Sequence, residues 1–146
     1  MEYRPIQRRD LAGVLEICRT EGWLSYTTDP EIAWRAFTAP GVVTIVAVDG
    51  DGGVVGFAQV QTDGVIQAHL SLIAVAKEYR RRGVGRRLLQ EAFAASGAKR
   101  LDLVTDTAER FYESLPHRRL SGFRLYPLEV DPIVKTQDRG FLSYTL

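Results

Sequence analysis

One cysteine, two histidines and one methionine stand among the 146 residues of the chain. A lone Cys18 excludes an internal disulfide. Its place in an apolar helical pattern marks it as a buried thiol rather than a nucleophile. Two histidines and one cysteine, far apart, give no spacing for a metal site, so no metal is expected. Strong charge of either sign is missing as well: 19 Lys and Arg against 18 Asp and Glu leave a net +1 at pH 7. That balance argues against nucleic acid or an anionic membrane surface as a partner. No apolar run approaches the length needed to cross a bilayer. Met1 to Asp10 is charged and carries no apolar leader pattern, so a reducing cytoplasm is the expected location. Repeats, low-complexity tracts and linkers are absent, and the length suits a single domain spanning 1–146. With 45% apolar and 25% charged residues, such a chain can bury a core without disulfides or metals.

What is present is a succession of short elements. Tyr3 to Ile6 is a strand candidate. Leu11, Val14, Leu15 and Cys18 recur at helical spacing and predict a helix over 9–21, ended by Gly22. Asp29-Pro30-Glu31 starts a second helix, with Asp29 as cap and Pro30 in its first turn, running to Phe37. Three strands follow: 42–48, 54–61 and 65–75. Turns at 49–53 and at Asp63-Gly64 separate them, which gives an antiparallel meander. A helix over 83–96 places Val84, Leu88, Leu89, Ala92 and Phe93 on one face. Arg100 to Val104 then reads as a strand reached by a parallel crossover. A short helix over 107–115 and closing strands at 123–126 and 141–145 complete the pattern. The fold class is a mixed α/β sheet, antiparallel in its first half and flanked by helices.

The most informative stretch is Arg80-Arg81-Arg82-Gly83-Val84-Gly85. It lies between the apolar run Leu70 to Ala76 and the amphipathic helix. A helix start leaves backbone N–H groups without intrahelical partners and carries partial positive charge. Glycines there let a ligand approach the backbone. Lys77 to Arg87 holds six basic residues and one acidic residue. Together these features specify a site for a phosphate or diphosphate. The pattern is neither the dinucleotide-binding fingerprint nor the NTPase phosphate loop, since Leu88 stands where the fingerprint needs its third glycine and no Gly-Lys-Ser/Thr follows.

R/Q-x-x-G-x-G/A, with Val75 ending a strand five residues earlier, resembles the acetyl-CoA diphosphate loop of the GNAT superfamily of N-acyltransferases. Ile73 to Tyr79 looks like that family's strand four and the turn after it, and Phe111-Tyr112-Glu113 looks like part of its later helix. The resemblance implies a sheet splayed between strands four and five. It also implies direct transfer of an acetyl group from acetyl-CoA to an amine, with catalysis mostly by positioning. The implied cofactor contacts are Ile73, Ala74 and Val75, whose strand supplies a backbone N–H to the thioester oxygen, together with Arg80, Arg81, Arg82, Gly83, Val84, Gly85 and Arg86. Tyr112 matches the general acid that protonates the departing thiolate. His69, six residues before Val75, occupies the relative position of the catalytic glutamate in histone-acetylating members, and an imidazole can accept a proton near neutral pH. Glu21, Asp29, Asp106 and a water chain remain alternatives for the base. Unbroken strand alternation puts His69, Ser71, Ile73 and Val75 on one face, with His69 about 13 Å from Ile73 at about 3.3 Å per residue.

Two departures from the family pattern stand out. Thr105 occupies the position where many members place an asparagine against the pantetheine arm. Ten residues separate Tyr112 from Gly122 where four are usual, and the extra segment contains Pro116. It is available to cover the acceptor pocket, to extend the phosphate site or to form a contact in a homodimer. Trp23 and Tyr26, in the loop between the first two helices, are the acceptor-binding candidates, with Trp34 and Phe37 on the next helix. They also suit core packing. Two readings of function follow: an N-acetyltransferase acting on a small-molecule or peptide amine, and an acetyl-CoA-sensing domain that regulates a protein partner.

Overall fold

In the computed structural model, which describes residues 1–128, five strands form one sheet in the order β1-β2-β3-β4-β5. The strands are β1 Glu2–Pro5, β2 Val42–Val48, β3 Val54–Thr62, β4 Gln67–Val75 and β5 Arg100–Asp102. The helices are α1 Leu11–Glu21, α2 Pro30–Phe37, α3 Val84–Ser96 and α4 Glu109–Glu113. β1 to β4 are antiparallel neighbours, and β5 joins β4 in parallel through the α3 crossover. The mixed sheet with an antiparallel first half is therefore observed as expected.

The centre of the sheet is covered on both faces, so β2 and β3 read as nearly continuous apolar runs. On one face α1 and α2 pack Val14, Cys18, Ala33 and Phe37 against Val46, Phe57 and Ala74. On the other, α3 packs Val84, Leu88 and Ala92 against Ala58, Val60, Ala68 and Leu70. Asp29 caps α2 by accepting the Glu31 N–H at 2.9 Å, as its spacing predicted. Asp10 is buried, and Arg4 grips it with two nitrogens at 2.6 and 2.9 Å. Burial alone would raise the Asp10 pKa, but the Arg4 fork and the Gln7 N–H outweigh it and hold the carboxyl below its ordinary value.

Several boundaries differ from the sequence reading for local reasons. The third meander strand starts at Gln67 rather than Val65. The Asp63 carboxylate accepts the N–H groups of Val65, Ile66 and Gln67 and so holds residues 65 and 66 in a turn ahead of the ladder. The last helix is only five residues long. Thr105 Oγ accepts the Ala108 N–H at 3.0 Å and sets its start late. Residues 123–126 do not form the expected strand: they pair with no ladder among the described residues, and Phe123 is 86% exposed. A strand needs a neighbour to satisfy its backbone, and the other expected closing strand, 141–145, lies outside the described residues. No helix among the described residues is long and apolar enough to cross a membrane.

Candidate functional site

The parallel ladder between β4 and β5 is short. It runs from Gln67 opposite Arg100 to His69 opposite Asp102. β4 continues to Val75 while β5 ends, so residues 70–75 face a gap on that side among the described residues. This opening is where the sequence reading placed Ile73, Ala74 and Val75 against a thioester. Backbone groups there are not consumed by a neighbouring strand on the β5 side.

A bulge interrupts β4 within this stretch. Leu72 lies opposite Gln59 and Leu70 opposite Val60, which leaves Ser71 as the extra residue. The bulge corrects the expected facing of His69. Ala68 and Leu70 pack toward α3, as do Ile73 and Val75, whereas Leu72 and Ala74 pack toward α1 and α2. His69, between Ala68 and Leu70, therefore points to the α1/α2 face, opposite to Ile73 and Val75. An inserted residue breaks the period-two pattern on which the expectation rested. Ser71 Oγ and Gln59 Oε1 are both buried without a hydrogen-bond partner.

The basic turn follows directly. Lys77–Tyr79 is a single 3-10 turn, Arg81 sits at φ +60°, and Gly83 at φ +80° leads into α3. Among the described residues no side chain caps α3, so the N–H groups of its first turn are available to an anion. A Cβ placed on Gly83 would meet nothing within 4 Å, whereas one on Gly85 would touch the Phe111 ring at 3.6 Å. The space above the turn is thus open at Gly83 and walled by α4 at Gly85. Val84 is buried in the α3 core and anchors the turn. Arg81, Arg82 and Arg86 are exposed. The Arg82 guanidinium lies 5.6 Å from the Tyr79 ring centre, and the Tyr79 hydroxyl donates to Asp49 Oδ2 at 3.0 Å. Arg80 is engaged elsewhere: its Nε–H donates to the Val75 carbonyl and a terminal nitrogen to Glu21 Oε1, each at 2.9 Å.

Tyr112 projects from α4 onto the α3-side core and is half-buried. Burial pushes its phenol up to about 12, so it stays protonated across the physiological range. Arg119 pairs with both Glu109 and Glu113, which folds the segment after Pro116 back along α4. A Cβ on Gly122 would overlap Val104 Cγ1, so this segment packs directly on the chain just past β5.

On the α1/α2 face, Trp23 meets Phe57 edge-on at 6.1 Å and Tyr26 stacks on Phe37 at 5.4 Å. Both rings are half-buried in the core, and burial raises the Tyr26 pKa. His69 is exposed. It lines a groove of about 550 Å³ with Pro40, Gly41, Gln61 and Asp63. It also lines a cavity of about 200 Å³ with Asp102, Leu103, Leu120 and Gly122. Cross-strand pairing sets Gln61 and Asp102 on either side of it. The sequence reading missed both neighbours, because only strand register brings 61, 69 and 102 together. Of the alternative bases, Asp29 is spent as a cap, Glu21 is paired with Arg80, and Asp106 is exposed in the loop before α4. No group of three or more His, Cys, Asp or Glu among the described residues is arranged to hold a metal.

Comparison with known proteins agrees with this fold. Residues 40–115 match the family model of the acetyltransferase (GNAT) domain. A putative acetyltransferase from Deinococcus radiodurans is 26% identical at a TM-score of 0.67, covering 86% of this chain and 87% of that one. An acetyltransferase of Trypanosoma brucei is 23% identical at 0.67, covering 88% and 99%. AAC(6')-Iy, solved with the bisubstrate analogue CoA-S-monomethyl-acetylneamine, is 18% identical at 0.70, covering 88% and 98%. No curated protein matches the chain in sequence.

Proposed function

The chain belongs to the GNAT acetyltransferase family, and from that membership we propose that it moves an acetyl group from acetyl-CoA directly to a primary amine. The observation that carries the reading is the uncapped start of α3, open above Gly83 and flanked by exposed Arg81, Arg82 and Arg86, beside the unpaired edge of β4. Those N–H groups and guanidiniums suit the diphosphate. Acetyl-CoA supplies the activated thioester, and the remaining work falls to the chain. The free edge at Ile73, Ala74 and Val75 offers backbone N–H to the carbonyl oxygen as it gains charge. Tyr112 gives its hydroxyl proton to the thiolate as the carbon–sulfur bond breaks and the carbon–nitrogen bond forms. Thr105 accepts the Ala108 N–H and keeps its own hydroxyl hydrogen free for the pantetheine arm.

The amine approaches from the α1/α2 face, past Trp23 and Tyr26, where His69 takes its proton directly or through water. Structural neighbours include aminoglycoside acetyltransferases, and a small-molecule or peptide amine is the acceptor class we assign here. Neither nucleic acid nor a membrane enters the reaction, and its setting is the cytoplasm. A pair of copies joined through the 115–122 segment is the assembly this reading allows. Titrating CoA into the purified protein by calorimetry, followed by turnover with an amine panel, tests the proposal. Saturable heat followed by CoA release supports it, and no heat at millimolar CoA rejects it. A second reading, an acetyl-CoA-sensing domain, draws on Thr105 in place of the asparagine. Heat without CoA release from any amine would favour it.

A further inference from the structure

Arg80, the first residue of the basic motif, turns its side chain back onto the protein surface and bonds within the chain. Its Nε–H closes a loop onto the Val75 carbonyl at the end of β4, and its terminal nitrogen reaches Glu21 at 2.9 Å. Glu21 is the last residue of α1, where its charge faces the negative end of the helix dipole. The Arg80 cation offsets that mismatch. Immediately after Glu21, Gly22 ends α1 at φ +77° and the chain enters the loop that carries Trp23 and Tyr26. Among the described residues no other ion pair joins α1 or this loop to 77–86.

We propose that Glu21 is a positioning residue, and that the Arg80–Glu21 pair transmits occupancy of the diphosphate site to the loop on the acceptor side. A guanidinium has five N–H donors, of which Val75 and Glu21 take two. Arg80 itself stands in the turn whose N–H groups would receive the diphosphate, an assignment that rests on the proposed function. A diphosphate carries more charge than one carboxylate and binds a guanidinium more strongly. Arrival of the anion draws Arg80 from Glu21, the last turn of α1 loses its partner, and residues 22–29 change their stance around Trp23. The pair is well placed to exchange, since its side chains are 49% and 31% exposed and such pairs hold little stability of their own.

The chain has two tryptophans, so Trp34→Phe leaves Trp23 as the only indole. In that background, CoA titrations are followed in parallel by calorimetry and by Trp23 emission, with Glu21→Gln and Glu21→Asp added. The expected result is a Trp23 response in the Trp34→Phe parent and its loss in Glu21→Gln. At least half should be retained in Glu21→Asp, with calorimetric affinities within about threefold of one another, since an exposed ion pair carries little energy. An equal Trp23 response in Glu21→Gln overturns the inference, as does a silent Trp23 in the parent that nonetheless binds CoA with heat. Absence of heat in the parent overturns both this inference and the proposed function, so the two failures are distinct. Circular dichroism of each variant verifies that the fold is intact.

Discussion

Gly83 and Tyr112 show how much of the proposed chemistry depends on single side chains. Gly83 holds φ +80° with open space beyond it. Valine there is strained by roughly 1–3 kcal/mol and its Cβ enters the room left for the diphosphate. Asparagine tolerates the left-handed region but fills the same room. Gly83→Asn should therefore unfold thermally close to the parent while losing at least about tenfold in CoA affinity, or about 1.4 kcal/mol. Gly83→Val should lose both. Calorimetry beside thermal melts separates the two effects, and parental CoA affinity in both variants would refute the placement. Tyr112 is half-buried with its phenol pushed up to about 12. Tyr112→Phe removes only the hydroxyl. General acid catalysis contributes about 10²–10⁴-fold, so kcat should fall at least about tenfold with acetyl-CoA binding nearly unchanged. Because the phenol stays protonated up to about 12, no alkaline limb in kcat below pH 10 should belong to it.

At the scale of elements, helices and central strands were legible in the sequence because each carries a complete local signal. Asp29-Pro30 marks the start of α2, and β2 is bounded as its β-branched run predicted. The glycine turn announced the α3 start for the same reason. The bulge at Ser71 was not legible: nothing in Leu70-Ser71-Leu72 distinguishes an inserted residue from a regular pleat, and the register is fixed only by β3 across from it. Its effect on the site is large, since it separates the facing of His69 from that of Ile73 and Val75. The engagement of Arg80 by Glu21 was hidden likewise, for they stand 59 positions apart. The new facing gives the base proposal a sharper test. His69 lies on the α1/α2 face beside Gln61 and Asp102, the side from which the proposed reaction brings the amine. His69→Gln keeps a polar side chain that cannot take the proton, so kcat/KM should fall at least about tenfold. Full activity in His69→Gln would make the residue structural and return the base to Asp106 or ordered water.

For the whole molecule, groups on different elements combine to shape stability against pH. Asp10, Asp49 and Asp63 all have pKa values held below the ordinary carboxylate value. Asp10 sits in the Arg4 fork, Asp49 accepts the Gly53 N–H and the Tyr79 hydroxyl, and Asp63 accepts the Ile66, Val65 and Gln67 N–H groups. The folded state therefore binds fewer protons than the unfolded chain below about pH 4. Their contribution is complete above the unfolded carboxylate pKa and is lost as pH falls through the folded values. The alkaline side behaves in the opposite sense. Cys18 has no exposed surface, and burial pushes its thiol from 9.0 up to about 12. Between those values the unfolded thiol releases its proton and the folded one keeps it, so stability falls as pH rises from about 9 toward about 12. At pH 10 an unfolded thiol with the ordinary value of 9.0 gains about 1.4 kcal/mol from ionising. Cys18→Ala should lower stability at pH 7 through lost packing in the α1 core, yet lose about that much less than the parent between pH 7 and pH 10. The difference of differences removes the packing loss, because it is common to both pH values. Urea unfolding of both proteins at the two pH values measures it. Identical slopes would mean that the folded thiol titrates as freely as the unfolded one, which its enclosure by α1 and the sheet forbids.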